Sequence, residues 1–288
     1  MSAQVLLGAV AYDPKVVTIW DGFRAWFRER GVDLDYVLYS NYERQADDLL
    51  AGRIDLAWHS PLAWVRTLRL ARAAGVRVAG VAMRDTDRDL TSAVVVRADS
   101  ELKSLADLRG ARVAVGAIDS PQATLLPLSL LRAAGLVPGE SVEIQRHDVG
   151  VGLHGDHIGG ERDAARALRA GEVDAACMTD SNLLLFGQEG TLTSGSVRVV
   201  GQTAPFDHCM LATGPSVTGP VAEATDEAVR LLLEMSYADP VARPLLDLEG
   251  LTQWLPGRSG GYDALERAVD ETGFYDQEGN LGVGDYRP

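Results

Sequence analysis

The amino-acid sequence predicts an α/β protein built from two lobes. Short apolar or β-branched runs alternate along the chain with helical patterns of about 10 to 16 residues, which is typical of α/β sheets. A chain of 288 residues is also long enough to bury two hydrophobic cores. In addition, residues 51–57 are echoed by residues 170–176, and each copy ends a helix at Gly, turns on Asp and enters a strand. Such joints are common in α/β proteins, so the echo leaves open whether the lobes are related units.

The first part of the chain is expected to alternate strictly between strands and helices. The predicted strands are residues 5–11, 34–39, 56–58 and 78–83. The predicted helices are residues 16–30, 42–50 and 62–74. Gly31 and Gly75 stand where two of these helices end, because glycine readily adopts the left-handed conformation of a helix C-cap. On the first helix, the aromatic residues have helical spacing, which indicates packing in the core.

A second unit is expected to start with an apolar strand at residues 91–97 that crosses between the lobes. The helices predicted after it are residues 104–108, 122–134, 162–170 and 182–186. The strands predicted after it are residues 112–116, 142–146, 175–178 and 197–200. The remainder is expected to be helical, most clearly at residues 226–237 and 262–272.

The charge and the hydropathy of the chain argue against nucleic-acid binding and against a membrane-spanning segment. The formal net charge is -14, whereas a protein that binds nucleic acid needs a basic surface for the phosphates. No apolar run approaches the roughly 18 to 20 residues that a membrane span needs. We therefore expect neither nucleic-acid binding nor a membrane span. A small anionic ligand is still compatible with this net charge, because a few hydrogen-bond donors in the binding site outweigh the repulsion from distant acidic residues.

The start of the chain and its cysteine content both favour a cytoplasmic location. The first four residues lead directly into an apolar strand, without the basic segment and apolar run of a secretion signal. Cys177 and Cys209 are the only cysteines, and two free thiols suit a reducing compartment. A chain whose leader had been removed would begin in the same way, so that alternative stays open.

Four motifs in a fixed order resemble those of a known family. They are residues 50–57 (LAGRIDLA), 104–114 (SLADLRGARVA), 119–124 (DSPQAT, followed by Pro127) and 162–168 (RDAARAL, leading to Asp174). Together they resemble the type 2 periplasmic binding proteins, in particular the phosphate/phosphonate-binding group. The resemblance spans roughly residues 5–245.

The resemblance implies a Venus-flytrap fold. Each lobe would be a mixed sheet flanked by helices, two crossing strands would join the lobes, and a ligand would bind between them. Lobe one is expected to contain residues 1–90 plus 206–288, and lobe two residues 91–205. The sequence departs from the family in three respects. Arg162 stands where the family usually has His, only Ser120 and Thr124 remain of a helix start that is rich in Ser and Thr in the family, and the leader of the family is missing. The identity of the ligand and a transport role therefore stay open.

The helix start at residues 120–124 is the main candidate for binding an anion. Ser120 is placed to cap the helix and Pro121 fits its first turn. The backbone N–H groups of Gln122 and Ala123 would then face the cleft at the positive end of the helix dipole, with Thr124 beside them. This arrangement suits a carboxylate or a phosphonate equally well.

Further candidates lie where strands are expected to end, since ligands of open α/β sheets bind at the carboxyl ends of the strands. Ser60 precedes Pro61 at a second helix start and either only caps that helix or also binds an anion. The other candidate ligand-binding residues of this kind are Tyr12, Asp13, Tyr39 and Asp180.

The histidines give a second line of evidence, because all five lie outside the predicted helices. His59 and His208 are the best placed to contact a ligand, and His157 is a further ligand-binding candidate. His157 belongs to residues 150–160, a glycine-rich loop that also contains His154 and Asp156. Its spacing matches no established zinc pattern, so we predict a loop that closes over the ligand and no metal site. The sequence indicates no particular cofactor.

Two functions are compatible with these residues. The first is binding of a small anionic organic molecule, such as a phosphonate, a phosphate ester or a carboxylate, in the interdomain cleft of a cytosolic protein without a transporter partner. The second is a cytosolic enzyme on the same fold, with His59, His208 and Asp207 performing acid–base chemistry. Cys209 beside His208 also fits an activated nucleophile. Neighbouring strand residues point to opposite faces, however, so we expect the two side chains not to pair with each other and Cys209 to be a small buried hydrophobic residue.

The enzyme alternative has its own resemblance. The chain is similar in architecture to a menaquinone-pathway dehydratase and to the thiamine-pyrimidine synthases, in which a His follows a Gly-x-Val-Asp turn. Here Gly52 and Asp55 are followed by His59. The cysteine-rich metal motif of the synthases is absent from the sequence, which weakens that comparison.

Overall fold

The computed structural model describes residues 3–288, so Met1 and Ser2, the start of the predicted lobe one, lie outside the described residues. The strands are β1 (Val5–Val10), β2 (Leu34–Tyr39), β3 (Leu56–His59), β4 (Ala79–Arg84), β5 (Ser92–Arg97), β6 (Arg112–Val115), β7 (Glu143–Arg146), β8 (Ala175–Thr179), β9 (Val197–Gln202), β10 (Met210–Thr213) and β11 (Trp254–Pro256). The α-helices are α1 (Lys15–Glu29), α2 (Tyr42–Leu50), α3 (Pro61–Ala74), α4 (Leu126–Ala133), α5 (Gly159–Ala170), α6 (Asp180–Gln188), α7 (Gly219–Glu234), α8 (Arg243–Glu249) and α9 (Asp263–Thr272). Two mixed sheets flanked by helices confirm the predicted two-lobed α/β class.

The first sheet has the strand order β11-β4-β10-β3-β1-β2. Strand β1 pairs in parallel with β2 and β3, whereas β10 and β11 run antiparallel to their neighbours. Both antiparallel strands were expected to belong to a mainly helical remainder. They are only four and three residues long, so their own pattern is too short to identify them, and their pairing partners are distant in sequence.

The second sheet has the strand order β7-β6-β8-β5-β9. Strand β6 pairs in parallel with β7 and β8, and β5 pairs antiparallel with β8 and β9. Strand β5 lies entirely within this sheet. The chain therefore crosses between the lobes before β5 rather than along it.

The two crossings lie side by side and are hydrogen-bonded to each other. The N–H of Leu90 donates to the carbonyl of Phe206 over 2.9 Å, and the N–H of Phe206 donates back over 2.8 Å. Further along the same two segments, the N–H of His208 donates to the carbonyl of Asp87 over 2.8 Å. Residues from both crossings are therefore held close together between the lobes.

Aromatic side chains fill the core of the first lobe. On α1, Trp20, Phe23 and Trp26 are buried, as their helical spacing predicts. Phe23 packs edge-on against Trp254 of β11, with ring centroids 6.1 Å apart. The same core contacts Trp58 of β3, which reaches from the core toward the space between the lobes.

The predicted helix at residues 122–134 begins differently from expectation. Its first turn, Pro121–Leu125, is π-helical, and α4 follows it. Ser120 caps this turn as predicted, since its hydroxyl accepts a hydrogen bond from the N–H of Ala123 over 3.1 Å. Among the helices of residues 3–288, none is long and apolar enough to cross a membrane.

Candidate functional site

A cavity of about 310 Å³ lies between the lobes, and both lobes and their crossings contribute to its wall. We call it the interlobe cavity. From the first lobe it is lined by Tyr12, Lys15, Trp58 and Arg84. From the second lobe it is lined by Gln122, Gly155, Asp156, Ile158, Thr179, Ser181 and Asn182. From the two crossings it is lined by Thr86, Asp87, Leu90, His208 and Cys209.

Two α-helices begin at this cavity. Lys15 is the first residue of α1, and Thr179 caps α6 by accepting a hydrogen bond from the N–H of Asn182 over 3.1 Å. The positive ends of both helix dipoles therefore lie at the wall of the cavity, together with the Lys15 side chain. The Ser181 hydroxyl adds a third polar group, 3.0 Å from the Thr179 hydroxyl.

The wall behind α6 contains a buried acid. Glu161 accepts hydrogen bonds from the N–H of Thr179 over 3.0 Å and from Nδ2 of Asn182 over 2.8 Å. Burial raises the pKa of Glu161. Oε1 of Glu161 and Oε1 of Gln122 have no hydrogen-bond partner among residues 3–288. The second lobe therefore offers unsatisfied acceptors close to the cavity.

Arg84 organises the opposite wall. Its Nε and Nη2 donate to Oδ2 and Oδ1 of Asp87 over 2.7 and 2.8 Å, and its Nη1 lies 3.3 Å from Oε1 of Glu249. Although burial opposes it, the Arg84 guanidinium holds the pKa of Asp87 below its usual range. The Arg84 guanidinium does not offset the burial of Glu249, and this burial raises the pKa of Glu249 to about 7. The guanidinium also lies over Trp58, 5.3 Å from the ring centroid.

Asp156 brings a further carboxyl group from the glycine-rich loop to the cavity. The hydroxyl of Tyr42, from the first lobe, donates a hydrogen bond to its Oδ2. Burial raises the pKa of Asp156. The cavity thus has cationic groups on Lys15 and Arg84 and acidic groups on Asp87 and Asp156.

Comparison with known proteins identifies the family. A family model described as "ABC transporter, phosphonate, periplasmic substrate-binding protein" matches residues 9–259. The chain belongs to this family. The resemblance inferred from the four sequence motifs is therefore confirmed, and so is the two-lobed periplasmic-binding-protein fold.

Individual relatives of this binding-protein family are distant. The phosphate-import protein PhnD of Mycolicibacterium smegmatis is 24% identical over an alignment of 261 residues, and the alignment covers 85% of this chain and 78% of that protein. The structure of PhnD1 from Prochlorococcus marinus in complex with methylphosphonate superposes with a TM-score of 0.69 at 16% identity, covering 94% of this chain and 98% of that one. A Xanthomonas citri protein bound to ATP superposes with a TM-score of 0.68 at 19% identity, covering 94% of this chain and 98% of that one. At these identities the superpositions establish the fold.

Family membership also bears on partners. The homologues are substrate-binding proteins of ABC transporters, which bind small ligands. The expectation that this protein works without a transporter partner gains no support from this membership.

Three of the predicted site residues line the interlobe cavity of this family member. Tyr12 does so from the first lobe, His208 from the second crossing, and Gln122 from the second lobe. Burial raises the pKa of Tyr12, so its hydroxyl is neutral. Gln122 donates from Nε2 to the carbonyl of Gly155 over 2.8 Å, which leaves its Oε1 as a free acceptor.

The predicted anion-binding helix start is covered by protein. Ser120, Ala123 and Thr124 are buried, and the Thr124 hydroxyl donates to the carbonyl of Ala117 over 2.8 Å. Gly155 lies against Ser120 Oγ and Gln122 Nε2, so closely that a Cβ on Gly155 would collide with both. The loop that was expected to close over a ligand therefore closes over this helix start, and the three residues do not reach the cavity.

His59 and Ser60 are also placed differently from expectation. His59 is fully buried, and its Nδ1 donates to Gln45 Oε1 over 2.9 Å while Thr67 donates to its Nε2 over 3.1 Å. Burial lowers the pKa of His59 to about 3. Ser60 Oγ lies 2.7 Å from Nδ1 of His154. Both residues are used inside the first lobe and its contact with the loop, and neither lines the interlobe cavity, where their predicted catalytic and ligand-binding roles would place them.

Asp207, predicted as a catalytic residue, is buried in an ion pair beside the crossing. Arg258 Nη2 and Nε donate to its Oδ1 and Oδ2, each over 2.6 Å. Asp207 does not line the cavity, because its carboxylate is directed to Arg258. Since Arg258 is 51 residues away, sequence spacing gave no indication of this pairing.

The remaining predicted ligand-binding residues do not line the cavity. Asp13 is exposed and accepts a hydrogen bond from the N–H of Lys15 over 2.9 Å. Tyr39 donates to Oδ2 of Asp48 over 2.9 Å. His157 is exposed, and Asp180 accepts a hydrogen bond from Thr91 over 2.8 Å.

Several lining residues were missed although the sequence contained signals for them. Lys15 is one of only two lysines and follows the predicted strand end at Tyr12. Thr179, Ser181 and Asn182 surround the predicted Asp180, and these three line the cavity whereas Asp180 does not. Arg84 had no signal, because its role depends on pairing with Asp87 and Glu249 in the folded protein.

The loop is held to the first lobe by a buried contact, which we call the His154 network. His154, in the left-handed region with φ 49°, stacks on Tyr42 and lies with Nε2 2.9 Å from Glu43 Oε1. Tyr275 and Tyr286 donate to the same oxygen over 2.7 and 2.9 Å. These contacts bring the loop of lobe two into the first lobe.

Proposed function

We propose that the protein is a substrate-binding protein that holds a small organic molecule with an anionic group in the interlobe cavity. A phosphonate, a phosphate ester or a carboxylate is the expected anionic group. The observation that carries this proposal is that both lobes line one cavity with polar groups. Closure of the lobes around the ligand would then remove it from water.

Lys15 and the start of α6 are the expected site of the anionic group. Lys15 is a lysine at a helix N-terminus, where its charge and the helix dipole act in the same direction. The hydroxyl of Ser181 and the side-chain amide of Asn182, both lining the cavity, add hydrogen-bond donors on the opposite wall.

The acids of the cavity favour a second group on the same ligand. Asp87 and Asp156 line the wall, and a ligand that is only an anion would lie unfavourably near them. A hydroxyl or amino substituent would donate hydrogen bonds to these carboxyl groups. We therefore expect the ligand to combine an anionic group with at least one hydrogen-bond donor.

The distant relatives supply the first compounds to test. One relative is named a phosphate-import protein, and two structural neighbours were solved with methylphosphonate and with ATP. We propose to measure the thermal stability of this protein with phosphate, methylphosphonate, ATP and a set of small carboxylates. A ligand at a hundredfold excess over its Kd should stabilise the protein by about 2.7 kcal/mol.

The two lysines provide a matched pair of variants for the same experiment. Lys15→Met should weaken binding of the stabilising compound by about tenfold or more, because it removes the cation at the start of α1. Lys103→Met changes the other lysine, which is exposed on the second lobe, and should bind as the wild type does. Equal affinity of the two variants would remove Lys15 from the binding site. Absence of any stabilising compound, with no small molecule found by native mass spectrometry, would contradict the binding proposal.

The placement of the predicted catalytic residues does not favour the enzyme alternative. His208 lines the cavity, but His59 and Asp207 are buried away from it. The cytoplasmic location predicted from the sequence stays a prediction, which fractionation of cells that express the full-length protein tests.

A further inference from the structure

Three side chains with metal-binding chemistry meet at the wall of the interlobe cavity. Asp87 comes from the first crossing, and His208 and Cys209 come from the second. Contrary to the expectation from strand alternation, the side chains of His208 and Cys209 are in contact, with Nδ1 3.1 Å from Sγ. Nδ1 of His208 also lies 3.6 Å from Oδ1 of Asp87. One donor atom from each of the three lies within 4.8 Å of the others.

These distances fit a common coordination sphere. With Zn–N, Zn–O and Zn–S bonds of ordinary length, ligand atoms around a tetrahedral zinc ion are about 3.3 to 3.8 Å apart. Imidazole nitrogen, carboxylate oxygen and thiolate sulfur are all accepted zinc ligands, and sites with three protein ligands keep a fourth position open. The two distances to Nδ1 of His208 are close to this range and the third is at most 4.8 Å, so the donor atoms need movements of about 1 Å or less to bind one ion.

The surroundings fix the orientation of the donors. Arg84 holds both carboxylate oxygens of Asp87, and the N–H of His208 donates to the carbonyl of Asp87 over 2.8 Å. The hydroxyl of Tyr262 donates to the carbonyl of His208 over 2.9 Å. Hydrogen bonds that orient ligand residues in this way are typical of built metal sites.

The local charge balance also permits a divalent ion. Arg84 pairs with Asp87 over 2.7 Å and lies 3.3 Å from Oε1 of Glu249, so two carboxyl groups surround this one guanidinium. A carboxylate on Asp87 and a thiolate on Cys209 would neutralise the two charges of the ion. Asp156, a third carboxyl group, lines the same cavity.

We propose that Asp87, His208 and Cys209 bind a divalent transition-metal ion at the wall of the interlobe cavity. The ion is Zn²⁺ or another ion that prefers the same nitrogen, oxygen and sulfur ligands. On binding, the Cys209 thiol releases its proton to solvent, and the neutral imidazole of His208 coordinates through Nδ1. The fourth position faces the cavity. The site does not depend on the identity of the organic ligand.

Titration with Co²⁺ tests this site directly, because Co²⁺ bound to a thiolate gives a charge-transfer absorption band in the near ultraviolet. The protein is first treated with a chelator, and the band is then followed as Co²⁺ is added and as Zn²⁺ displaces it. We expect saturation at one ion per chain. His208→Ala should weaken Co²⁺ binding by at least about tenfold, as the loss of a ligand residue does.

The two cysteines supply the decisive comparison. Cys209→Ala should abolish the band, whereas Cys177→Ala, which removes the other buried thiol, should retain it. His157→Ala, which removes an exposed imidazole, should retain it as well. Circular dichroism of each variant shows whether it is folded, and only folded variants are compared.

Two results would overturn the proposal. One is a wild-type protein that gives no thiolate band with Co²⁺, which would leave the His208–Cys209 contact as a hydrogen bond only. The other is a band that survives in Cys209→Ala. The titration contains no organic ligand, so either result would leave the substrate-binding proposal unaffected.

Discussion

The imidazole of His154, from the second lobe, is buried against the carboxylate of Glu43, from the first, with Nε2 and Oε1 2.9 Å apart. Ser60 lies on the other side of the ring, with Oγ 2.7 Å from Nδ1. Although burial opposes both charges, His154 lowers the pKa of Glu43 to about 2, and Glu43 raises the pKa of His154. This buried ion pair therefore joins the two lobes where the glycine-rich loop is closed.

Loss of this pair should destabilise the protein. We expect Glu43→Gln to lower the free energy of unfolding by about 3 to 5 kcal/mol, the range for removing one partner of a buried ion pair. Chemical denaturation at neutral and mildly acidic pH measures the change. Glu29→Gln, which alters an exposed glutamate, is the control and should change stability by less than about 0.5 kcal/mol.

The same variant should also change the pH dependence of stability. The Glu43 contribution is complete above its ordinary pKa of 4.5 and is lost as the pH falls toward 2. The His154 contribution is complete below its ordinary pKa of 6.5 and is lost as the pH rises through the raised value. The difference between wild type and Glu43→Gln should therefore be largest between pH 4.5 and 6.5. A difference that is constant with pH would contradict the ionised pair.

Gly155 is expected to be essential for closing the loop over the helix start. Gly155→Ala would place a Cβ against Ser120 Oγ and Gln122 Nε2, at a backbone φ of +79°. Gly139→Ala is a matched control, since its φ is +83° and nothing lies within 4 Å of the added Cβ. Both variants should lose about 1 kcal/mol from backbone strain, and Gly155→Ala should lose about 1 to 3 kcal/mol more from the collision. Equal thermal stability of the two variants would show that the loop does not pack on Ser120 in solution.

The fold was more predictable than the site, for reasons visible at particular residues. Strands β1, β2 and β8 and the aromatic face of α1 follow from local periodicity and burial, which the sequence contains directly. Strands β10 and β11 are stabilised mainly by distant partners, and their own few residues carry too little pattern.

The predicted site residues do not line the interlobe cavity where a helix start or an imidazole already has a protein partner. Ser120 is an N-cap as predicted, but the sequence could not show that Gly155 covers it. His59 follows a strand end as predicted, but Gln45 and Thr67 saturate both of its nitrogens. Spacing along the chain identifies groups that are able to bind an anion, whereas their availability depends on contacts between distant segments.

His59 should therefore be a structural residue. His59→Ala would leave Gln45 Oε1 and the Thr67 hydroxyl without their partner, at a cost of about 1 to 3 kcal/mol for each buried polar group. Urea denaturation should show this loss, while the affinity for any ligand of the interlobe cavity stays within about twofold of the wild-type value. His157→Ala, at an exposed position, should change neither quantity. Loss of ligand affinity in a folded His59→Ala protein would return His59 to the binding site.

Asp207 should stabilise the crossing through Arg258 rather than act in catalysis. Its side chain is 1% exposed, so Arg258→Ala would leave a buried carboxylate without its cation and should cost about 3 to 5 kcal/mol. Arg230→Ala is the comparison, because Arg230 pairs with Glu227 and Glu234 on the exposed face of α7 and should contribute less than about 1 kcal/mol. Unfolding in guanidinium chloride measures the loss of stability in both variants. Because this denaturant is itself a salt, it also screens the exposed pairs of Arg230. If Arg258→Ala were as stable as Arg230→Ala, the Asp207 carboxylate would have to reach another partner, and its assignment to the crossing would be wrong.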